Sequence, residues 1–172
     1  DAIKDVMVVH SHSYLLMFTS AGKVYMKKAY QIPEASRTAK GTNLVNVLEL
    51  AEGEKVTSIV SLNGFDDDEY FVMVTKKGVI KRASTKDFEY QRKGGKIAIN
   101  LDEGDELLAV KKTEGESDII IATRKGKAVR FDEKDARVMG RTARGVRGIR
   151  LKGDDDVVGV SVTKIHEVME IE

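Results

Sequence analysis

The sequence predicts an all-β protein: a propeller-like array of four-stranded blades. The first observation is a repeat. "YLLMFTSAG" (Tyr14 to Gly22), "YFVMVTKKG" (Tyr70 to Gly78) and "DIIIATRKG" (Asp118 to Gly126) share one form, an apolar run ending in Thr, two further residues, then Gly. The second is order. "RTAKG" (37–41), "QRKGG" (91–95) and "RTARG" (141–145) follow in one slot, and "LAEGEKV" (50–56), "LDEGDEL" (101–107) and "LKGDDDV" (151–157) in the next. The third is length. The apolar runs are β-branched and too short for independent helices. Units of four strands recurring at roughly 50 residues belong to propeller-like arrays, in which neighbours stack because one sheet cannot bury both its faces.

Taken in order, "IKDVMVV" (Ile3 to Val9) reads as the fourth strand of a preceding unit, so residues 1–9 form an orphan strand. Three full units are expected at 10–62, 63–113 and 114–164, all in a single domain that is part of a longer array. In the first unit, Tyr14 to Thr19 is strand one, and Gly22 supplies positive φ for a tight hairpin. Lys23 to Lys28 returns. After a long loop, Leu44 to Leu50 is strand three, Gly53 turns the chain, and Val56 to Leu62 is strand four. Residues 165–172 match nothing in the repeat and read as a helix start or a loose tail.

Composition narrows the chemistry. Of 172 residues, 41% are hydrophobic and 33% charged, enough apolar matter for a core. Cysteine is absent, which removes disulfides and thiolate chemistry, and a cytosolic setting is the simplest fit. No stretch has the apolar length of a membrane helix, and the start lacks the pattern of a secretory leader, so no membrane partner is expected.

Net charge is +1, but the charges are segregated. Arg37 and Lys40 lie in the first long loop, Arg92, Lys93 and Lys96 in the second, and Arg141, Arg144, Arg147 and Arg150 in or just after the third. From Arg137 to Lys152 there are six basic residues and no acidic one, while acids gather at 66–69, 102–106 and 154–156. A cationic slot repeated once per unit forms a stripe when units stack, and such a stripe suits double-stranded DNA. Arg and Lys neutralise phosphates and release counterions, giving affinity with little sequence preference. Gly94 and Gly95 are expected to shape the second loop and let its backbone approach a phosphate. On a curved rim the duplex must bend, at a cost of order 1–6 kcal/mol that added contacts offset. Few aromatics argue against single-strand binding by stacking.

Other chemistries find no support in the residues. His10 and His12 have no framing carboxylate motif, and His166 is distant. The acidic stretches 102–106 and 153–157 lack the ligand spacing of a calcium loop and read as β-turns. No phosphate-binding Gly-Lys-Ser/Thr loop and no Ser/His/Asp order is present, so no cofactor, metal or catalytic centre is expected. A protein-docking scaffold is the alternative from another class. Its interface would be apolar and aromatic at the centre, and the loops show no such cluster.

"YQIPEASRTAKGTNLVNVLEL" (30–50), "FVMVTKKGVIKR" (71–82), "ATRKGKAVRF" (122–131) and "MGRTARGVRGIRL" (139–151) resemble the C-terminal domain of bacterial DNA gyrase A over nearly the whole chain. The resemblance implies a β-pinwheel, usually six blades with a strand exchanged between neighbours, around whose basic rim DNA wraps. It implies a non-catalytic module within an ATP-dependent type IIA topoisomerase that introduces negative supercoils. The active tyrosine would lie in the breakage-reunion domain, and the site for ATP and Mg in the gyrase B protein of a heterotetramer of two A and two B subunits. The setting implied is cytoplasmic and chromosome-associated. "QRKGGKI" (Gln91 to Ile97) is similar to the family's Gln-Arg-Arg-Gly-Gly-Lys-Gly box at six positions, counting Lys93 for Arg, with Ile97 in place of the last Gly. The related domain of topoisomerase IV, which keeps only degenerate boxes, is the alternative parent.

Overall fold

The computed structural model describes residues 13–28, 48, 50–89 and 95–164. The orphan strand at 1–9, strand three of the first unit apart from Leu48 and Leu50, the tail at 165–172 and the three histidines all lie outside them. Among the described residues eleven strands run in chain order: β1 (Tyr14–Thr19), β2 (Lys23–Lys28), β3 (Val56–Leu62), β4 (Tyr70–Thr75), β5 (Val79–Ser84), β6 (Lys96–Ile97), β7 (Leu107–Thr113), β8 (Ser117–Thr123), β9 (Ala128–Asp132), β10 (Val146–Arg147) and β11 (Val157–Lys164). They form three antiparallel sheets with strand orders β3-β1-β2-β6, β10-β5-β4-β7 and β11-β8-β9.

The repeat has a physical cause at each hairpin. Gly22, Gly78 and Gly126 donate their N–H to the carbonyls of Thr19, Thr75 and Thr123, at 3.0, 3.1 and 3.1 Å. The buried Thr75 and Thr123 hydroxyls accept from the N–H of Val79 and Lys127, both at 3.0 Å, so the recurring Thr closes the turn it precedes. The acidic turns also do more than meet solvent. Asp105 and Asp155 are only 8% exposed. Asp105 Oδ1 accepts from Lys77 N at 2.9 Å and Glu106 N at 2.8 Å, and Asp155 Oδ1 accepts from Lys125 N and Asp156 N, both at 2.9 Å. Each carboxylate thereby ties the last strand of a unit to that unit's own hairpin.

The fourth strand of a sheet comes from the unit after it. β6 pairs with β2, and β10 pairs with β5, one unit earlier in each case. Beyond the short ladders, Ala98 N and Ile99 N both donate to Gly22 O, at 2.8 and 3.2 Å, and Gly148 N and Ile149 N do the same to Gly78 O. The approach requires glycine. A Cβ on Gly22 would sit 2.6 Å from Ile99 O, and its φ of +79° already disfavours other residues. From residue order alone, each unit is expected to keep its own third strand; the sheets show that strand handed to the preceding neighbour.

Stacking buries both faces of the middle sheet. Adjacent strand residues point to opposite sides. Phe71 and Met73 of β4 therefore pack with Leu16, Phe18 and Val24 of the first sheet, while Val72 and Val74 pack with Ile119 and Ile121 of the third. Phe71 meets Phe18 and Phe88 edge-on, with ring centroids 5.1 Å apart in both pairs, geometry worth about 0.5–1.5 kcal/mol per pair beyond area burial. Phe88 is delivered by a 3-10 turn at Thr85–Phe88, and a second such turn at Glu133–Asp135 buries Glu133. Neither turn stands out in the sequence. β3 touches β7 and β7 touches β11, so that end of every sheet gathers inward, and β6, β10 and β9 lie at the opposite, outer edge.

Candidate nucleic-acid interface

The exchanged strands set where the basic slots come to rest. The second and third cationic loops end in exchanged strands, β6 and β10, each at the outer edge of the preceding sheet. Lys96 stands on β6, Arg147 stands on β10, and Arg141 and Arg144 immediately precede β10. Arg37, Lys40, Arg92, Lys93 and Gly94 lie outside the described residues.

Gly95 holds the end of the second loop. Its φ is +83°, and a Cβ there would lie 2.7 Å from the Tyr25 ring, which packs against the bare backbone. Burial and the nearby Glu54 carboxylate hold the Tyr25 phenol above its ordinary pKa, so it stays a neutral wall under the loop.

The basic side chains differ in what they touch. Arg144 has a side chain 78% exposed, and its one carboxylate neighbour among the described residues, Asp102, is 3.7 Å away and itself open to water. Such a pair contributes little. Arg147 is exposed and makes no ion pair among the described residues. Arg141 is half-buried, and its Nη1 donates to Ile97 O at 2.8 Å, which spends part of the guanidinium on the neighbouring loop. Closer ion pairs fall on other strands, as in Lys112–Glu69 at 2.9 Å and, on the outer strand β9, Arg130–Asp118 at 2.7 Å. Register also separates the slots. Lys96 pairs with Val24 and Val146 with Ile80, the equivalent position one blade on, so Arg147 occupies the place of Ile97. Lys96 and Arg147 thus leave their sheets on opposite faces of the same outer edge.

One buried cation was not singled out by the sequence. Lys81, on β5, is fully buried, and its Nζ donates to Ala98 O at 2.7 Å and also to Arg141 O. Burial, and then the nearby Arg141 charge, pull its pKa down to about 8, with Asp87 acting the other way. The available signal was two adjacent charges, Lys81 and Arg82, inside an apolar strand whose faces are both covered.

The family described as "DNA gyrase C-terminal domain, beta-propeller" matches residues 13–63, 69–114 and 117–164, most of the chain and each of the three sequence units in turn. The chain belongs to the DNA gyrase C-terminal domain family. It is 50% identical over 165 residues to the DNA gyrase A protein of Haloquadratum walsbyi, an alignment covering 94% of this chain and 19% of that protein. The chain therefore spans about a fifth of the length of this relative. A solved C-terminal domain of DNA topoisomerase IV superposes with a TM-score of 0.82 at 27% identity, over 90% of this chain and 48% of that one. A solved DNA gyrase A C-terminal domain does so with a TM-score of 0.69 at 30% identity, over 90% of this chain and 49% of that one. In this family member the stretch that resembles the box ends on β6, where Ile97 is 41% exposed at the sheet's outer edge.

Proposed function

We propose that the chain is a non-catalytic module that binds and bends duplex DNA along the outer edges of its sheets, within a type IIA topoisomerase of the gyrase kind. The observation that carries this reading is the strand exchange, which delivers one cationic loop to the outer edge of each preceding sheet with Arg144 and Arg147 open to solvent. Phosphate contacts are assigned to Arg37, Lys40, Arg92, Lys93, Lys96, Arg141, Arg144 and Arg147, with Arg144 and Arg147 the best placed of those described. The parent enzyme would supply the active tyrosine, its gyrase B partner would supply the ATP and Mg site, and the wrapped segment would be presented for negative supercoiling in a cytoplasmic, chromosome-associated complex. Half-identity to a DNA gyrase A protein supports gyrase over topoisomerase IV as parent. The docking-scaffold alternative is disfavoured because the large exposed apolar residues among those described are Ile97, Val138, Val146 and Val158, with no aromatic among them.

The test is a gel shift with linear duplexes of unrelated sequence across a salt series. Binding that is indifferent to sequence and falls steeply with salt supports the reading. Salt-insensitive binding, or none, removes it. Supercoiling of relaxed plasmid by the whole parent enzyme then separates gyrase from topoisomerase IV.

A further inference from the structure

Between the two loops that reach the rim lies a cluster of polar contacts that phosphate binding does not explain. Lys81 Nζ bonds Ala98 O from one loop and Arg141 O from the next. Around it, Arg141 Nη1 donates to Ile97 O at 2.8 Å, Asn100 N donates to Ala143 O at 3.3 Å, and Asn100 Nδ2 donates to Thr142 O. Every one of these contacts joins residues 97–100 to residues 141–143, or joins both segments to Lys81. The first and second sheets meet here. Ala98 lies on the first sheet through Gly22, Lys81 belongs to the second sheet, and Arg141 leads into the third unit's exchanged strand.

We propose that Lys81 is a positioning residue that clasps two consecutive rim loops into one rigid cationic surface, so that a duplex meets both loops at a fixed spacing. The DNA part of this inference rests on the duplex-binding reading above; the clasp itself does not. A polyanion that must touch two loops at once loses conformational entropy in whatever moves independently, and a pre-joined pair avoids that loss. Lys81 cannot itself reach a phosphate, because its side chain is fully buried. Its action passes through the loop backbones. A buried ammonium with two carbonyl acceptors is also costly to lose, since both acceptors are left unpaired.

The test compares wild type, Lys81→Met, Asn100→Ala and Phe88→Leu. Asn100 is exposed, so its variant folds even where Lys81→Met does not; Phe88→Leu weakens the core that Ala98 and Ile99 share without removing any hydrogen bond of the clasp. Amide hydrogen exchange without DNA should quicken about tenfold or more at 97–100 and 141–145 in the two clasp variants only. Duplex affinity should fall roughly tenfold, with the salt slope shallower by about one contact, 0.9 of a unit. Protection equal to wild type in both clasp variants overturns the clasp. Faster exchange with unchanged affinity and slope overturns its role toward DNA. An equal change of slope in Phe88→Leu overturns it too, by reducing the effect to lost stability. Failure of the wild type to bind duplex removes the DNA reading, and exchange then decides the clasp alone.

Discussion

Arg82 of β5 and Glu133 of the 3-10 turn after β9 face each other across the seam between the second and third sheets, 3.3 Å apart with side chains 9% and 0% exposed. Each member makes further contacts. Arg82 Nε donates to Ala136 O at 2.8 Å, and its guanidinium lies 4.7 Å from the Tyr70 ring centroid. Glu133 accepts from Thr113 Oγ1 at 2.8 Å and from Ser117 N at 2.9 Å. A buried pair with these partners on both sides of the seam helps fix which sheet meets which.

Removing one member strands the other. Glu133→Ala should lose about 3–5 kcal/mol of unfolding free energy in urea, because Arg82 is left charged in the seam. Arg82→Met combined with Glu133→Gln should lose less than Glu133→Ala alone, since no uncompensated charge remains. Equal losses would mean that the seam is held by its apolar contacts instead.

Lys81 gives a pH signature of definite sign. Its ordinary value is 10.5 and its folded value is about 8, so between these the unfolded chain binds more protons. Unfolding free energy therefore rises with pH across that window. The penalty of burying the charge is present in full below pH 8 and is relieved as the pH approaches 10.5. Stability of wild type relative to Lys81→Met, from urea midpoints at stepped pH, should climb by about 3 kcal/mol. A flat difference would show that the ammonium is solvated in the fold.

Arg144 and Arg147 are exposed, so neutralising them should spare the fold. Arg144→Gln with Arg147→Gln should weaken binding to all duplexes alike and reduce the salt slope by about 1.8 units, at 0.9 per phosphate contact. Unchanged thermal unfolding with an unchanged slope would take the third loop out of the interface.

Asp155 anchors the third sheet's hairpin. Burial pushes its carboxyl up, but hydrogen bonds from Thr123, Lys125 N and Asp156 N outweigh this and hold it below the usual carboxylate range. A depressed folded pKa adds stability above the ordinary carboxylate value and loses it as the pH falls through the folded one. Asp155→Asn should lower the urea midpoint at neutral pH, and the gap to wild type should close in acid. A gap that persists at pH 2 would assign the effect to packing.

Much of this protein was legible because repetition turns local chemistry into a pattern. Thr75 and Gly78 close a hairpin whose parts sit within four residues of each other, so the recurrent Thr-x-x-Gly announced every hairpin. The basic slots were visible as residue types at one place in each unit. Asp105 and Asp155 were visible as parts of β-turns, but their tie to the hairpins was not, because their partners Lys77 N and Lys125 N lie 28 and 30 residues away. Lys81 was hidden in a strand for the same reason, its acceptors being 17 and 60 residues distant.

The amino-acid sequence alone determined the strand-type units, their hairpins and the segregation of charge, all of which depend on contacts a few residues long. Only the tertiary structure decided which sheet receives each exchanged strand, that Lys96 and Arg147 leave opposite faces of one edge, and that Arg141 turns partly inward toward Ile97. Those outcomes depend on which distant backbone supplies an acceptor or leaves room for a side chain, and residue order does not encode that until the sheets have stacked.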